Sequence, residues 1–501
     1  MLKIFDTTLR DGEQTNGVSY SLSEKLLIAE QLLNKVGVDF LEISSCRVSE
    51  SEKNTIKKIC HYANENNLID KISVLSFIDF NRSIDWLEGT GCQKINLLTK
   101  GSEEHCIKQL RKTLEEHIND IKKTIDYAIS KGLKYSFYLE DWSRGVQQNY
   151  NYVKNLSEEL LKLEPQSIIL CDTLGVLNPW STEETLMQMK KDFDLSNFEF
   201  HCHNDYGLAN ANSLTAIKCG ISTIHSTING LGERAGNVSM VELVVSAKDH
   251  LNIDSDINEK EFANISTLIE RFSSKRIPHN SPIVGKDVFT QTAGVHADGD
   301  SKGNLYQSKL HPSRFDRTTE YALGKLSGKA NLEIHLKNIG TQLTDEQKKL
   351  VLEKIVNISD HKKNISQFDL PFIIADVIDQ GISKIFEVVD CIITSSTSLL
   401  PVANIKIKYK NTEYYEHSSG NGGYDAFMNC LRKIATNSDL FIPTLIDFEV
   451  GIPRGGKTDA LVETIIAWQD GVKTTGFSED QVMASIKATE KAINYFAINK
   501  K

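Results

Sequence analysis

Two histidines two residues apart, His201 and His203, sit in the run Phe200-His-Cys-His-Asn-Asp205. If that run is a strand, side chains i and i+2 share a face, so both imidazoles converge on one cation. A carboxylate such as Asp11 would complete a facial set that leaves positions open for substrate. A pair of structural histidines is the plainer alternative. Histidine ligands admit Zn2+, Mn2+ or Fe2+, while mixed oxygen and nitrogen ligation of an oxo acid favours Mg2+ or Mn2+. Arg10 precedes Asp11 in Asp6-Thr-Thr-Leu-Arg-Asp-Gly-Glu-Gln14. Asp11 would hold the metal while Arg10 points a fixed cation at an oxygen that gains charge. A surface ion pair is the alternative. Glu42 and Glu140 are candidates for acid/base work or for orienting ligands. His296, in Ala293-Gly-Val-His-Ala-Asp-Gly299 and followed by Tyr306, is either a base titrating near neutrality or a structural histidine. Asn229-Gly-Leu-Gly-Glu-Arg-Ala-Gly-Asn237 could be a phosphate cradle or a tight loop under a metal site.

Such scattered residues meet only if strands bring them to one end. The first 250 residues or so alternate β-type runs with helical patterns. The runs are Lys3–Phe5, Phe40–Ile43, Ile72–Phe77, Lys94–Leu98, Tyr135–Leu139, Ser167–Cys171, Glu199–Cys202 and Thr223–Ile228. Helical stretches between them include Leu22–Val36, Glu104–Ser130 and Gly207–Lys218. Eight strands with helical crossovers predict a (β/α)8 TIM barrel, whose chemistry lies at the carboxyl ends of the strands. Arg10, Asp11, Glu42, Glu140, Thr173, His201 and Asn237 all fall at or just beyond such ends. A doubly wound sheet is the rival, but no G-x-G-x-x-G turn follows the first strand.

The barrel is expected over residues 1–260 and linker subdomains over 261–383. A C-terminal α+β regulatory domain follows over 384–501. In the linker, Asn252–Lys275 looks helical and polar, Val288–Gly328 reads as a functional segment, and helical periodicity returns over Glu333–Ile382. The tail reads as β-β-α twice: Phe386–Thr394, Asn404–Tyr409 and Gly423–Ala435, then Leu445–Ile452, Asp459–Trp468 and Ser478–Ala497.

Composition limits the function classes. The 501 residues carry 57 Lys+Arg against 67 Asp+Glu, a net charge of −10, which argues against a nucleic-acid partner. No apolar run approaches the ~18 residues of a membrane helix. The N-terminus shows no secretory pattern, and the nine cysteines include no C-x-x-C pair. A soluble, cytoplasmic protein with reduced thiols is expected.

Together, Asp6–Gln14, His201–Asp205, Asn229–Asn237 and Gly294-Val-His-Ala-Asp298 resemble the signatures of the 2-isopropylmalate/homocitrate/citramalate synthase family. The resemblance spans essentially the whole chain and is nearest to the bacterial (R)-citramalate synthases. It implies a metal-dependent, Claisen-type acyl transfer in which acetyl-CoA condenses with a 2-oxo acid and the CoA thioester is hydrolysed. Asp11, His201, His203 and Asn237 match metal-site positions, and Arg10 the group that stabilises the alkoxide. Glu140 and His296 match the acid/base pair, Tyr306 the residue beside the hydrolytic water, and Thr173 the one holding the substrate carboxylate. The family's linker reaches across to a partner's barrel, implying a homodimer.

The substrate pocket lies at the ends of strands three to five. Leu75, Leu98 and Tyr138 there leave room for the methyl of pyruvate, unless the leucines are plain barrel packing. A homocitrate synthase would want a cation there, and an isopropylmalate synthase more space. The product would feed isoleucine synthesis. The C-terminal module resembles the family's allosteric domain, with isoleucine as expected inhibitor and leucine as runner-up. Tyr424, Asp425, Leu445, Ile452 and Val462 are the candidate effector contacts, supplying an ammonium acceptor and an apolar slot. A C–C lyase and a non-catalytic amino-acid sensor are the remaining alternatives.

Overall fold

The structure is a computed structural model that describes residues 1–291, 299, 303, 305–306, 308–321, 329–338, 342–360, 370, 373–374, 385–451 and 462–499. Two compact units result: Met1–Phe289 with Ser308–Thr318, and Thr290–Gln307 with Thr319–Lys501. Among the described residues no helix is long and apolar enough to cross a membrane.

The first unit holds eight parallel strands: β1 (Lys3–Asp6), β2 (Phe40–Ser45), β3 (Ile72–Phe77), β4 (Lys94–Lys100), β5 (Lys134–Glu140), β6 (Ile168–Asp172), β7 (Phe198–Cys202) and β8 (Thr223–Ser226). They pair in chain order and close, with Ile4 opposite Ile224 and Phe5 opposite His225. All eight expected strands form, their ends displaced by no more than two residues.

Local chemistry explains the helix starts. Ser21 and Glu24 make a reciprocal capping box before Leu22–Gln31, and Asn178 with Ser181 does the same before Pro179–Met189. The single helix expected over Glu104–Ser130 is instead interrupted. A short turn Glu103–His105 runs into a wider turn, Cys106–Leu110, that ends with Arg111 left-handed at φ 56°. Thr113 and Glu116 then cap a new helix, Leu114–Ser130. No glycine or proline marks the break, but Thr113-x-x-Glu116 is a legible start signal. Helix Phe262–Ser273 lies within the residues assigned to the linker. Yet Phe262, Ile265 and Ile269 are buried in the barrel's own apolar cluster.

A chain of polar side chains runs across the strands of the barrel. Glu199 of β7 meets His225 of β8, which meets Tyr138 of β5, then Glu42 of β2, then Asn96 of β4. Most of the branched aliphatic side chains form the cluster shared by strands and helices.

In the second unit a short parallel pair, β9 (Thr290–Gln291) and β10 (Glu320–Tyr321), precedes helices Lys329–Asn338 and Asp345–Asp360. Leu332, Leu336, Val351 and Ile355 form the core between those helices. Two antiparallel sheets follow, β11 (Phe386–Thr394), β12 (Val402–Tyr409) and β13 (Thr412–Ser419), then β14 (Leu445–Gly451), β15 (Val462–Trp468) and β16 (Lys473–Ser478). Each ends in a helix, Gly423–Thr436 and Gln481–Asn499.

The repeat is therefore β-β-β-α, not the expected β-β-α. β13 was hidden because its hairpin turn is Lys410-Asn411, both left-handed, with no glycine to announce it. Its sequence, Thr-Glu-Tyr-Tyr-Glu-His-Ser-Ser, also lacks apolar alternation. β16 lies flush under its helix: a Cβ on Gly476 would stand 1.9 Å from the Ala484 carbonyl oxygen.

Candidate active site

The loop after β1 builds the first half of the site. Asp6 accepts from the Thr8 amide at 2.9 Å and the Thr8 hydroxyl at 3.0 Å. The amides of Arg10, Asp11 and Gly12 all donate to the Thr7 carbonyl. This coil sets Arg10 and Asp11 side by side above the strand. Thr8 Oγ1 also accepts from Ile228 N, and Thr15 Oγ1 exchanges hydrogen bonds with both the amide and the carbonyl of Gly232. The first motif and the Asn229–Asn237 loop, more than 200 residues apart, are thereby interlocked. The loop thus reads as a support under the ligand cluster.

Asp11, His201 and His203 converge as expected. Asp11 Oδ2 lies 3.3 Å from His201 Nε2 and 3.8 Å from His203 Nε2, and the two Nε2 atoms stand 3.3 Å apart. One ligand atom from each lies within 4.8 Å of the others. Burial disfavours a charged Asp11, but Arg10 and then the two imidazoles hold its carboxyl well below the ordinary range. Burial pushes both histidines down, His203 to about 4. One carboxylate and two neutral imidazoles result, the donor state a divalent cation requires.

The surroundings fit such an ion. Asp11 Oδ1 and Asn237 Oδ1 are buried without hydrogen-bond partners, although each is a strong acceptor. Asn237 is anchored through Nδ2 to the Leu231 carbonyl at 3.0 Å, and its backbone bridges to His203. Gly232 keeps the space clear: a Cβ there would lie 2.2 Å from Asn237 Nδ2 and 3.1 Å from Asp11 Oδ1.

Arg10 is fixed from three sides. Its guanidinium donates to Glu42 at 2.5 Å, Asp11 at 2.8 Å and the Tyr138 hydroxyl at 3.1 Å. Glu42 is fully buried and also accepts from Asn96 at 2.6 Å. Of the two roles open to Glu42, the structure makes it the anchor of Arg10. Tyr138 contacts His225 Nδ1 at 3.1 Å, and His225 Nε2 lies 2.8 Å from Glu199. Glu199 sits two residues before His201 on β7, so strand alternation was the available signal for it.

Leu75, Tyr138, Ile169 and Cys171 form a separate buried cluster with Leu98 packed against it. The three pocket residues expected from sequence therefore meet. Tyr138 touches both sides: its ring belongs to this wall and stands edge-on to His201, while its hydroxyl binds Arg10.

Glu140, at the tip of β5, pairs with the ammonium of Lys100, its register partner on β4. Sequence reasoning passed over Lys100, although parallel register makes two strand tips neighbours. Thr173 follows β6 and its hydroxyl accepts from the Asp141 amide at 2.8 Å. Arg234 grips Asp205 through two nitrogens at 2.8 and 2.9 Å and the Thr173 carbonyl at 2.6 Å. His296 lies outside the described residues. Tyr306 is half exposed and belongs to the second unit.

In the C-terminal module, Tyr424, Asp425 and Leu445 line one cavity of about 570 Å3 with Met428, Arg432, Ile442, Pro443 and Thr444. Arg432, which the sequence reading missed, lies one helical step beyond Met428 and 3.6 Å from Asp425. Val462 is buried at the head of β15 and is not among the lining residues. Ile452 lies outside the described residues.

Comparison with known proteins agrees with this architecture. Residues 1–269 match the HMGL-like family, 283–363 the homocitrate synthase post-HMGL domain-like family, and 364–497 the LeuA allosteric (dimerisation) domain. A putative (R)-citramalate synthase of Archaeoglobus fulgidus is 34% identical over 98% of this chain and 99% of its own. The (R)-citramalate synthase of Methanocaldococcus jannaschii is 31% identical over 99% of both chains. The 2-isopropylmalate synthase of that organism is 30% identical over 98% of this chain and 94% of its own. The chain belongs to the HMGL-like family, within its citramalate synthase and 2-isopropylmalate synthase group.

Proposed function

We propose that the chain is an (R)-citramalate synthase, an acyltransferase condensing pyruvate with acetyl-CoA and water to give citramalate and CoA. The observation that carries this reading is the apolar wall of Leu75, Leu98, Tyr138, Ile169 and Cys171 set directly against Arg10 and the ligand triad. Bulky side chains there suit a methyl group and crowd an isopropyl group. Lys100, the cation at the tip of β4, is already paired with Glu140, which disfavours a second substrate carboxylate there.

Asp11, His201 and His203, with Asn237, would hold Mn2+ or Mg2+, with Zn2+ a third choice. When bound, the ion supplies Lewis acidity to the substrate ketone. Arg10, immobilised by Glu42 and Tyr138, presents a fixed positive charge to the ketone oxygen as it becomes an alkoxide. Thr173 donates its hydroxyl proton to the oxo-acid carboxylate. Glu140 removes a proton from the acetyl methyl, with His296 as its acid/base partner and Tyr306 beside the hydrolytic water. We assign the last two to a linker that completes the partner's site in a homodimer, a reading the LeuA dimerisation domain supports.

The C-terminal cavity suits isoleucine: Asp425 faces its ammonium, Arg432 its carboxylate, and Met428, Ile442 and Leu445 its side chain. Leucine is the competing effector, and the protein acts in the cytoplasm. 2-Isopropylmalate synthase is the second reading because relatives of comparable identity bear that name.

A free-thiol assay of CoA release, with Mn2+, acetyl-CoA and each of pyruvate, 2-oxoisovalerate and 2-oxoglutarate, tests the assignment. Pyruvate should turn over fastest. Faster turnover of 2-oxoisovalerate would transfer the chain to the second reading.

A further inference from the structure

Asp141 follows Glu140 and lies against Thr173, yet neither the wall nor the ligand cluster uses it. Its backbone is left-handed, φ 64° and ψ 24°, in a side chain only 1% exposed. Residues with a Cβ adopt this conformation uncommonly, aspartate more readily than most, and its surroundings hold it there. They do so densely. Ser102 Oγ donates to Oδ2 at 2.7 Å. Arg144 donates to both oxygens, Nε to Oδ1 at 2.7 Å and Nη2 to Oδ2 at 3.0 Å. His105 Nε2 lies 3.5 Å from Oδ2.

The backbone on either side is clamped as well. Gly101 N donates to the Glu140 carbonyl at 2.7 Å and Gly145 N to the Asp141 carbonyl at 3.0 Å. A Cβ on Gly145 would stand 2.1 Å from the Gly101 carbonyl oxygen, so the β4 and β5 loops meet backbone to backbone.

This conformation aims the Asp141 N–H at Thr173 Oγ1, 2.8 Å away. A hydroxyl that accepts on one side must direct its own hydrogen elsewhere. Among the described residues that hydrogen has no acceptor, and Thr173 is only half-buried, just beyond the tip of β6.

We propose that Asp141 is a positioning residue. Its anchored, left-handed backbone turns the Thr173 hydroxyl into a dedicated donor for the oxo-acid carboxylate and holds Glu140 at the strand tip. The inference rests on the synthase reading for its carboxylate-bearing substrate, but every 2-oxo acid carries that group. The test is therefore run with whichever 2-oxo acid the wild-type chain turns over. Failure of the pyruvate assignment and failure of this proposal are thus separate results.

The experiment is a double-mutant cycle on the full chain with Mn2+ and acetyl-CoA. Thr173→Val should raise KM for the oxo acid about tenfold, the loss of one hydrogen bond to a charged group. Asp141→Ala, which removes the anchors and disfavours the left-handed backbone, should lower kcat/KM about 100-fold, as a misplaced group does. It should raise KM for the oxo acid more than KM for acetyl-CoA, a split that general loosening would not produce. The double variant should resemble Asp141→Ala alone, because both changes remove one hydroxyl donor. Asp141→Asn, which tolerates the left-handed backbone and still accepts from Ser102, should recover most of the loss. If Asp141→Ala does not fold, Ser102→Ala, which removes one anchor of the Asp141 carboxylate, takes its place in the cycle with a smaller loss in the same direction. Effects that multiply across the cycle, or KM values that rise equally for both substrates, would overturn the proposal.

Discussion

The barrel mouth and the C-terminal cavity both set charged groups against apolar walls, but they hold them differently. At the mouth, Arg10 and Asp11 are 8% and 2% exposed, and Arg10 makes three hydrogen bonds of 3.1 Å or shorter. In the cavity, Asp425 and Arg432 are 41% and 59% exposed and lie 3.6 Å apart. The first arrangement is preorganised, so that no dipole need move as charge develops. The second holds each partner by one further hydrogen bond, from the Asn421 amide to Asp425 and from Arg432 to Asn429, and leaves both open to solvent and to a ligand. Chemistry demands rigidity, whereas an effector site must differ in free energy between bound and empty states.

The difference is broken most severely at the ligand triad. If His203 is a ligand of an ion that polarises the ketone, His203→Ala should reduce turnover by about a thousandfold or more. Metal content of the purified protein should fall in parallel, while far-UV circular dichroism stays the same. A variant that retains both metal and turnover would remove His203 from the ligand set.

Next comes the anchor of Arg10. Glu42→Gln keeps the shape but leaves a buried guanidinium with one fewer anion. We expect kcat to fall about 100-fold and the denaturation midpoint to report a loss of about 3 kcal/mol, as when a buried pair loses one partner. An unchanged kcat with lowered stability would confine Glu42 to the fold.

A smaller effect tests how the β4 tip is held. His117 on Leu114–Ser130 accepts from the Lys100 amide at 3.3 Å and is buried. Burial, with Lys112 adding to it, pushes this imidazole down to about 4. The unfolded chain takes up the proton below about 6.5 and the folded one only near 4. Stability from the neutral imidazole is therefore fully present above pH 6.5 and is lost as pH falls through 4. Relative to His117→Gln, wild-type protein should lose about 2–3 kcal/mol between pH 7 and pH 4 in urea titrations. Parallel pH curves for the two proteins would contradict the shift.

Legibility in the sequence follows the same division. All eight barrel strands and the ligand triad were readable because buried parallel strands are short apolar runs and polar residues interrupt them only at their tips. What escaped lay in contacts between strands. Nothing in Lys100 alone announces Glu140, nor in Glu199 alone announces His225, because register and barrel closure bring them together. In the tail, β13 escaped because half of it faces solvent and its turn uses Lys410 and Asn411 in place of glycine. Arg432 escaped because its significance comes only from the helix face it shares with Met428 and Asp425.

The smallest expected effect decides whether the looser site is a site at all. Asp425→Ala removes the one carboxylate that lines the cavity among the described residues and leaves Arg432 without that partner. If isoleucine binds there through its ammonium, half-inhibition should require about ten times more of it, the worth of one exposed charged hydrogen bond. Arg432→Ala should produce a comparable shift through the carboxylate, and Val462→Ala, buried away from the cavity lining, should not. Dose–response curves of CoA release against isoleucine and leucine separate these cases. Curves for Asp425→Ala that superimpose on wild type would place the effector elsewhere. A leucine curve lying below that of isoleucine would keep the site and change its ligand. The barrel variants should scale uninhibited turnover without moving the half-inhibition point, because they act on a site whose geometry is already fixed.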